Sequence, residues 1–126
     1  MKVFKFGGAS VKDAVGVKNL SSIVHQQHGQ LIVVVSAMGK TTNLLETLCN
    51  AYFHQDPKTT AIMKELKNFH LDIVNTLFPL NAPVYKHLEE LFTNLENILT
   101  SESSLCYDYE YDRIVMIRLP VCFPSL

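Results

Sequence analysis

The chain has 126 residues, 48% of them apolar, and a formal net charge of −1. That length suits one domain with a single core, and the apolar content excludes a disordered chain. The interspersed charges give no reason to place nucleic acid or an anionic membrane as the main partner.

Residues 2–6, KVFKF, set Val3, Phe4 and Phe6 among Lys2 and Lys5. With Gly7-Gly8 following, they read as a short strand entering a tight loop. Over residues 12–27, Ala14, Val17, Leu20, Ile23 and Val24 make the apolar stripe of an amphipathic helix, with Val15, Lys18 and Ser22 off it. His28-Gly29 ends this helix, glycine suiting a left-handed cap. Leu31–Val35 is apolar throughout and β-branched at four of its five positions. It reads as a strand buried on both faces of a parallel sheet. Strand, loop, helix and strand make one βαβ unit.

A helix over about 42–54 follows, and Asp56-Pro57 has the form of a cap with proline at the first helical position. The next helix carries Ile62, Leu66, Phe69, Ile73 and Leu77 at spacings of three and four. A turn with two prolines, Phe78 to Pro83, separates it from another helix with Val84, Leu88, Leu91, Leu95 and Ile98 on its stripe. Two long amphipathic helices with so short a connection are expected to pack antiparallel. No membrane-length apolar run, which needs roughly 20 residues, no repeat and no cleavable leader is visible. Cys49, Cys106 and Cys122 are scattered, odd in number and without a CxxC pair, so reduced thiols in a cytoplasmic protein are expected.

The stretch LIVVVSAMGKTTNLL at 31–45 has the pieces of a nucleotide-phosphate loop. A Walker A loop needs glycine five positions before the Gly of Gly-Lys-Thr. Counting back from Gly39, that place holds Val34, inside the strand. The remaining loop is too short to wrap a β-phosphate, and the P-loop is rejected. An anion site survives that rejection. Ser36-Ala37-Met38-Gly39 follows the carboxyl end of one strand, and Gly7-Gly8-Ala9-Ser10 the other. Ligands of open α/β sheets bind at that edge. Adjacent glycines admit close backbone approach, the helix beginning near Ser10 would add its positive end, and Lys5 brings a charge. Each feature also has a plainer reading: a turn for Gly-Gly, a solvated strand-end lysine for Lys5, helix caps for Ser36 and Thr42.

KFGGAS at 5–10 and VVVSAMGKTTNLL at 33–45 closely resemble the two N-terminal motifs of aspartate kinases, of the amino-acid kinase family. The usual forms are Lys-Phe-Gly-Gly-Thr-Ser and a Val/Leu-rich strand followed by Ser-Ala and Thr-Asn-Leu-Leu. Order, spacing and the helical insertion that follows agree, over roughly residues 1–115; Ala9 departs, where threonine is common. The resemblance implies an α/β fold: the N-terminal part of an amino-acid kinase (carbamate-kinase-like) three-layer fold, a βαβ start followed by a helical hairpin insertion. It implies ATP-dependent phosphorylation of the L-aspartate β-carboxylate to 4-phospho-L-aspartate, toward lysine, threonine, methionine and isoleucine, with Mg2+ carried by the nucleotide. It also implies a homo-oligomer for the full-length family, a monofunctional parent being expected over one fused to homoserine dehydrogenase.

That chemistry suits the residues. A carboxylate with a pKa of about 3.9 is ionised at neutral pH and needs no general base, so catalysis is mostly positioning and charge neutralisation. By resemblance, Lys5 is catalytic, neutralising the transferring phosphoryl group. Gly7, Gly8, Ala9 and Ser10 cradle phosphate, Ser36 and Gly39 line the second loop, and Thr42, with Ser36, meets the substrate aspartate. Lys40 falls where the family motif varies and reads as surface charge. His25, His28, His54, His70 and His87 show no convincing metal pairing, and no metal ligand is assigned.

YDYEYDRIV at 107–115 still resembles the family, which continues with a Ser-x-Gly-Glu motif; here the chain reads MIRLPVCFPSL. Residues 1–115 are therefore read as an incomplete catalytic domain, and 116–126 as an out-of-frame tail in which Pro120 and Pro124 forbid a regular helix. Such a fragment is expected to be inactive alone and marginally stable, with the Leu31–Val35 face uncovered. Two alternatives stay open: another amino-acid kinase acting on glutamate or a nucleotide, and a non-catalytic helical module that binds a partner helix.

Overall fold

The lysine-flanked run at the N-terminus and the β-branched run at 31–35 form strands β1 (Lys2–Phe6) and β2 (Leu31–Val35) in a computed structural model that describes residues 1–116. They pair in parallel, with Lys5 opposite Val34 and Phe6 opposite Val35. Parallel neighbours need a crossover, supplied by a 3-10 turn (Gly8–Val11) and helix α1 (Ala14–His25). Asp13 caps α1, its carboxylate accepting the Gly16 N–H at 2.8 Å. Gly29 does adopt a left-handed φ of +90°, but it lies in the turn before β2, beyond the Gln26 that closes the helix.

Four helices follow: α2 (Thr41–Phe53), α3 (Thr59–Leu77), α4 (Val84–Thr100) and α5 (Tyr107–Ile114). α3 starts two residues after Pro57, although Asp56 still does a cap's work by accepting the Lys58 N–H at 2.8 Å. The antiparallel hairpin is borne out by its cross-links. Lys67 meets Glu96 at 3.5 Å, the His70 and Phe92 rings lie 5.8 Å apart, and the Tyr85 hydroxyl donates to Asn75 at 2.9 Å. As one partner advances along α3, the other retreats along α4.

The core is mostly helical. Leu48, Leu66, Phe92, Leu95 and Ile114 are almost wholly buried in one cluster shared by α2 to α5. A smaller cluster of Val11, Val17 and Leu20 packs on Phe6 and Val35, one face of the two-stranded sheet. The expectation that β2 is buried on both faces fails here, and the uncovered Leu31–Val35 face expected of an incomplete domain is found instead. Val3, Ile32 and Val34 are 61%, 46% and 46% exposed, and Val33 is 36% exposed. α1 covers one face only, and β1 is the sole strand beside β2 among the described residues. The tail reading, with its Pro120 and Pro124, lies outside the described residues. No described helix is long and apolar enough to cross a membrane.

Candidate active site

The parallel register sets the carboxyl ends of β1 and β2 side by side, so both glycine-bearing loops leave the sheet at one edge. The Ser36 N–H donates to the Phe6 carbonyl at 2.9 Å, carrying the pairing one residue past the strands. The Gly39 N–H then donates to the Gly8 carbonyl at 3.2 Å. The two motifs, some 30 residues apart in sequence, are therefore bonded to each other through their backbones.

Glycine is required at two points of this junction. A Cβ on Gly8 would stand 3.0 Å from the Ala37 carbonyl oxygen and 3.3 Å from that of Gly39. Gly39 has φ +52°, and its Cβ would stand 3.1 Å from Phe69 Cζ on α3. Gly7 differs: its φ is −74° and nothing stands near its missing Cβ. Its side faces open space, where a ligand has room to approach the chain.

Lys5 stands exposed on the uncovered face of β1, in register with Val34, and belongs to neither ion pair among the described residues. Ala9 and Ser10 are exposed on the 3-10 turn, and Ser36 is half-buried at the start of the second loop. Thr42 is exposed in the first turn of α2. The loops thus come together at one edge, with Thr42 three residues beyond Gly39. Lys40 is exposed at the cap position of α2, in keeping with surface charge. Neither Ser36 nor Thr42 caps α2.

One expectation is corrected. The regular helix does not begin near Ser10 with a free positive end. The residues there form the short 3-10 turn, and the N-terminus of α1 is occupied by the Asp13 carboxylate. An anion at this edge would depend on the loop N–H groups and Lys5, since Asp13 opposes a second negative charge at α1.

Three residues with a structural part in the site were missed. A Cβ on Gly16 would collide with the Ser10 carbonyl oxygen, so this glycine lets α1 approach the first loop. The Asp13-x-x-Gly16 spacing carried a cap signal for it. Thr41 is 1% exposed, donates to the Met38 carbonyl at 2.6 Å and lies 3.3 Å from His70 Nε2. His70 is buried too, which pushes its pKa below 6.5, opposed in part by its bond to the Leu66 carbonyl. No sequence signal joins residues 41 and 70. Among the described residues no three His, Cys, Asp or Glu side chains gather as metal ligands.

Residues 1–105 match the amino acid kinase family, and the chain belongs to that family. Its relatives within it are aspartokinases. It is 32% identical over 103 residues to aspartokinase 2, chloroplastic, of Arabidopsis thaliana, covering 76% of this chain and 18% of that one. It is 49% identical over 49 residues to the aspartokinase of Rickettsia prowazekii (strain Madrid E), covering 36% and 11%. The fold is similar to E. coli aspartokinase III, solved in complex with aspartate and ADP in its R-state. There the TM-score is 0.77 at 25% identity, over 92% of this chain and 25% of that one. The chain thus spans a quarter or less of the length of these relatives.

Proposed function

We propose that this chain forms the phosphate- and aspartate-binding edge of an aspartate kinase, transferring the γ-phosphoryl group of ATP to the β-carboxylate of L-aspartate. The observation that carries the reading is the bonded pair of loops, Gly39 to Gly8, at the carboxyl edge of a parallel sheet with Lys5 beside them. Gly7, Gly8 and Ala9 offer backbone N–H groups to phosphate oxygens, and Ser10, whose own N–H is donated to the Gly7 carbonyl, offers its hydroxyl, with Ser36 and Gly39 facing them across the junction. Lys5 offsets the charge repulsion between carboxylate and triphosphate, the main obstacle to this transfer. Ser36 and Thr42 hold the aspartate. Mg2+ arrives on the nucleotide and supplies further charge neutralisation.

The E. coli relative's complex with aspartate and ADP supports this choice of ligands over glutamate or a nucleotide acceptor. The cytoplasm is the expected compartment. A test replaces the matching N-terminal segment of that E. coli enzyme with residues 1–115 and measures aspartate-dependent ADP release. Activity that favours aspartate over glutamate and falls at least about a hundredfold in Lys5→Ala is expected. A folded hybrid that releases ADP equally with either amino acid, or not at all, would overturn the reading.

A further inference from the structure

The second loop is held from behind by two adjacent residues of α3. Phe69 closes on Gly39, its Cζ 3.1 Å from where a Cβ would stand. His70, the next residue, reaches Thr41. A carbonyl only accepts hydrogen bonds, so the 2.8 Å contact from His70 Nδ1 to the Leu66 oxygen puts the proton on Nδ1. Around the ring stand Leu66, Phe69 and Phe92, with Lys67 on the same helix directed to Phe92 and Glu96 rather than to the imidazole. Burial among these groups disfavours a charged ring, so Nε2 keeps its lone pair at neutral pH. The single Thr41 hydroxyl proton then has two acceptors, the Met38 carbonyl at 2.6 Å and His70 Nε2 at 3.3 Å. Met38 lies inside the loop, and the Thr41 N–H also donates to its carbonyl at 3.0 Å.

We propose that His70, as the Nδ1–H imidazole, is a positioning residue for the second loop: it shares the Thr41 hydroxyl with Met38 and fixes residues 38–41 so that Gly39 meets Gly8. The helical hairpin thereby sets the geometry of the loop instead of only filling space beside it. The consequence for phosphate or aspartate binding rests on the function proposed above; the geometric coupling does not.

The test uses the 126-residue chain. Asparagine ends near the place of Nδ1 and can keep only the Leu66 arm. Glutamine reaches to the place of Nε2 and can keep the Thr41 arm. In His70→Asn, hydrogen exchange at the Gly39 and Thr41 amides, and in Thr41→Val at the Gly39 amide, is expected to quicken about tenfold, the loss of one modest hydrogen bond. The Leu48 and Leu66 amides keep their rates. His70→Gln and Thr41→Ser return the loop to near wild-type rates. Equal acceleration in the Asn and Gln variants, or none, overturns the proposal. Should the variants fold poorly, the 15N spectrum of the wild-type ring decides: protonated Nδ1 with bare Nε2 supports it, and the reverse tautomer overturns it. Failure to bind ATP would leave these ratios unchanged, so the two proposals fail separately.

Discussion

The sheet edge and the helical block of this molecule are built to different standards of self-sufficiency. Helices α2 to α5 close around their own core, with Leu48, Leu66, Leu95 and Ile114 at 0–1% exposure beside Phe92. The edge that carries the two loops has three buried apolar residues, Val11, Val17 and Leu20, and leaves Val3, Ile32 and Val34 in water. Hydrophobic stabilisation scales with the area removed from water, so the two regions should differ in local stability even within one folded chain. The residues proposed to do chemistry sit in the weaker region, and the stronger one steadies them through Phe69 and His70.

The largest expected effect sets the regions against each other. Leu66→Ala should cost about 3–4 kcal/mol by urea unfolding, because it opens a cavity in the helical core. Ile32→Ala, at a half-exposed site, should cost no more than about 1 kcal/mol. Comparable losses would break the contrast. Gly16→Ala should cost about 2 kcal/mol, since its Cβ meets the Ser10 backbone, which has little room to yield. Gly7→Ala should leave stability nearly unchanged, its side being open, while weakening ATP binding in the active hybrid.

Arg113→Met sharpens the comparison from the helical side. Glu110 is 0% exposed and accepts from the Ser104 N–H at 2.6 Å and from Arg113 at 3.2 Å. Without the guanidinium the carboxylate stays buried with less compensation, at a cost of about 2 kcal/mol, moderated because Arg113 is partly exposed. The smallest effect is a pH dependence. Burial lowers the folded pKa of His70 below 6.5, so between the two values the unfolded chain binds more protons than the folded one. Stability from this group is therefore complete above about pH 6.5 and is lost as pH falls through the lowered folded value. The difference between wild type and His70→Gln in acid-side unfolding midpoints reads this contribution directly; parallel curves would show that His70 is not held neutral by its site.

Most of the architecture was legible. The lysine-flanked apolar run, the β-branched run and the stripes at spacings of three and four gave β1, β2 and the helices, because period and side-chain shape act locally. The two turn prolines and short connection gave the antiparallel hairpin. The two loop motifs gave the sheet edge where ligand binding is proposed, and the count back to Val34 was enough to reject a P-loop. For β2 the run at 31–35 read as buried on both faces, while the reading of an incomplete domain left that face uncovered, and the second is what the structure shows: a continuous apolar run reports what a strand can bury, while the neighbours available decide what it does bury.

Sequence by itself determined the periodic elements, the glycines of the loops and the kinship they carry, since each depends on residues close together in the chain. Tertiary structure alone decided the pairing of Gly39 with Gly8, the need for glycine at 16, and the meeting of Thr41 with His70 across 29 positions. These are contacts between distant segments. They exist only once the sheet register and the hairpin have fixed where each backbone runs, and no local pattern of residue types encodes such a distance.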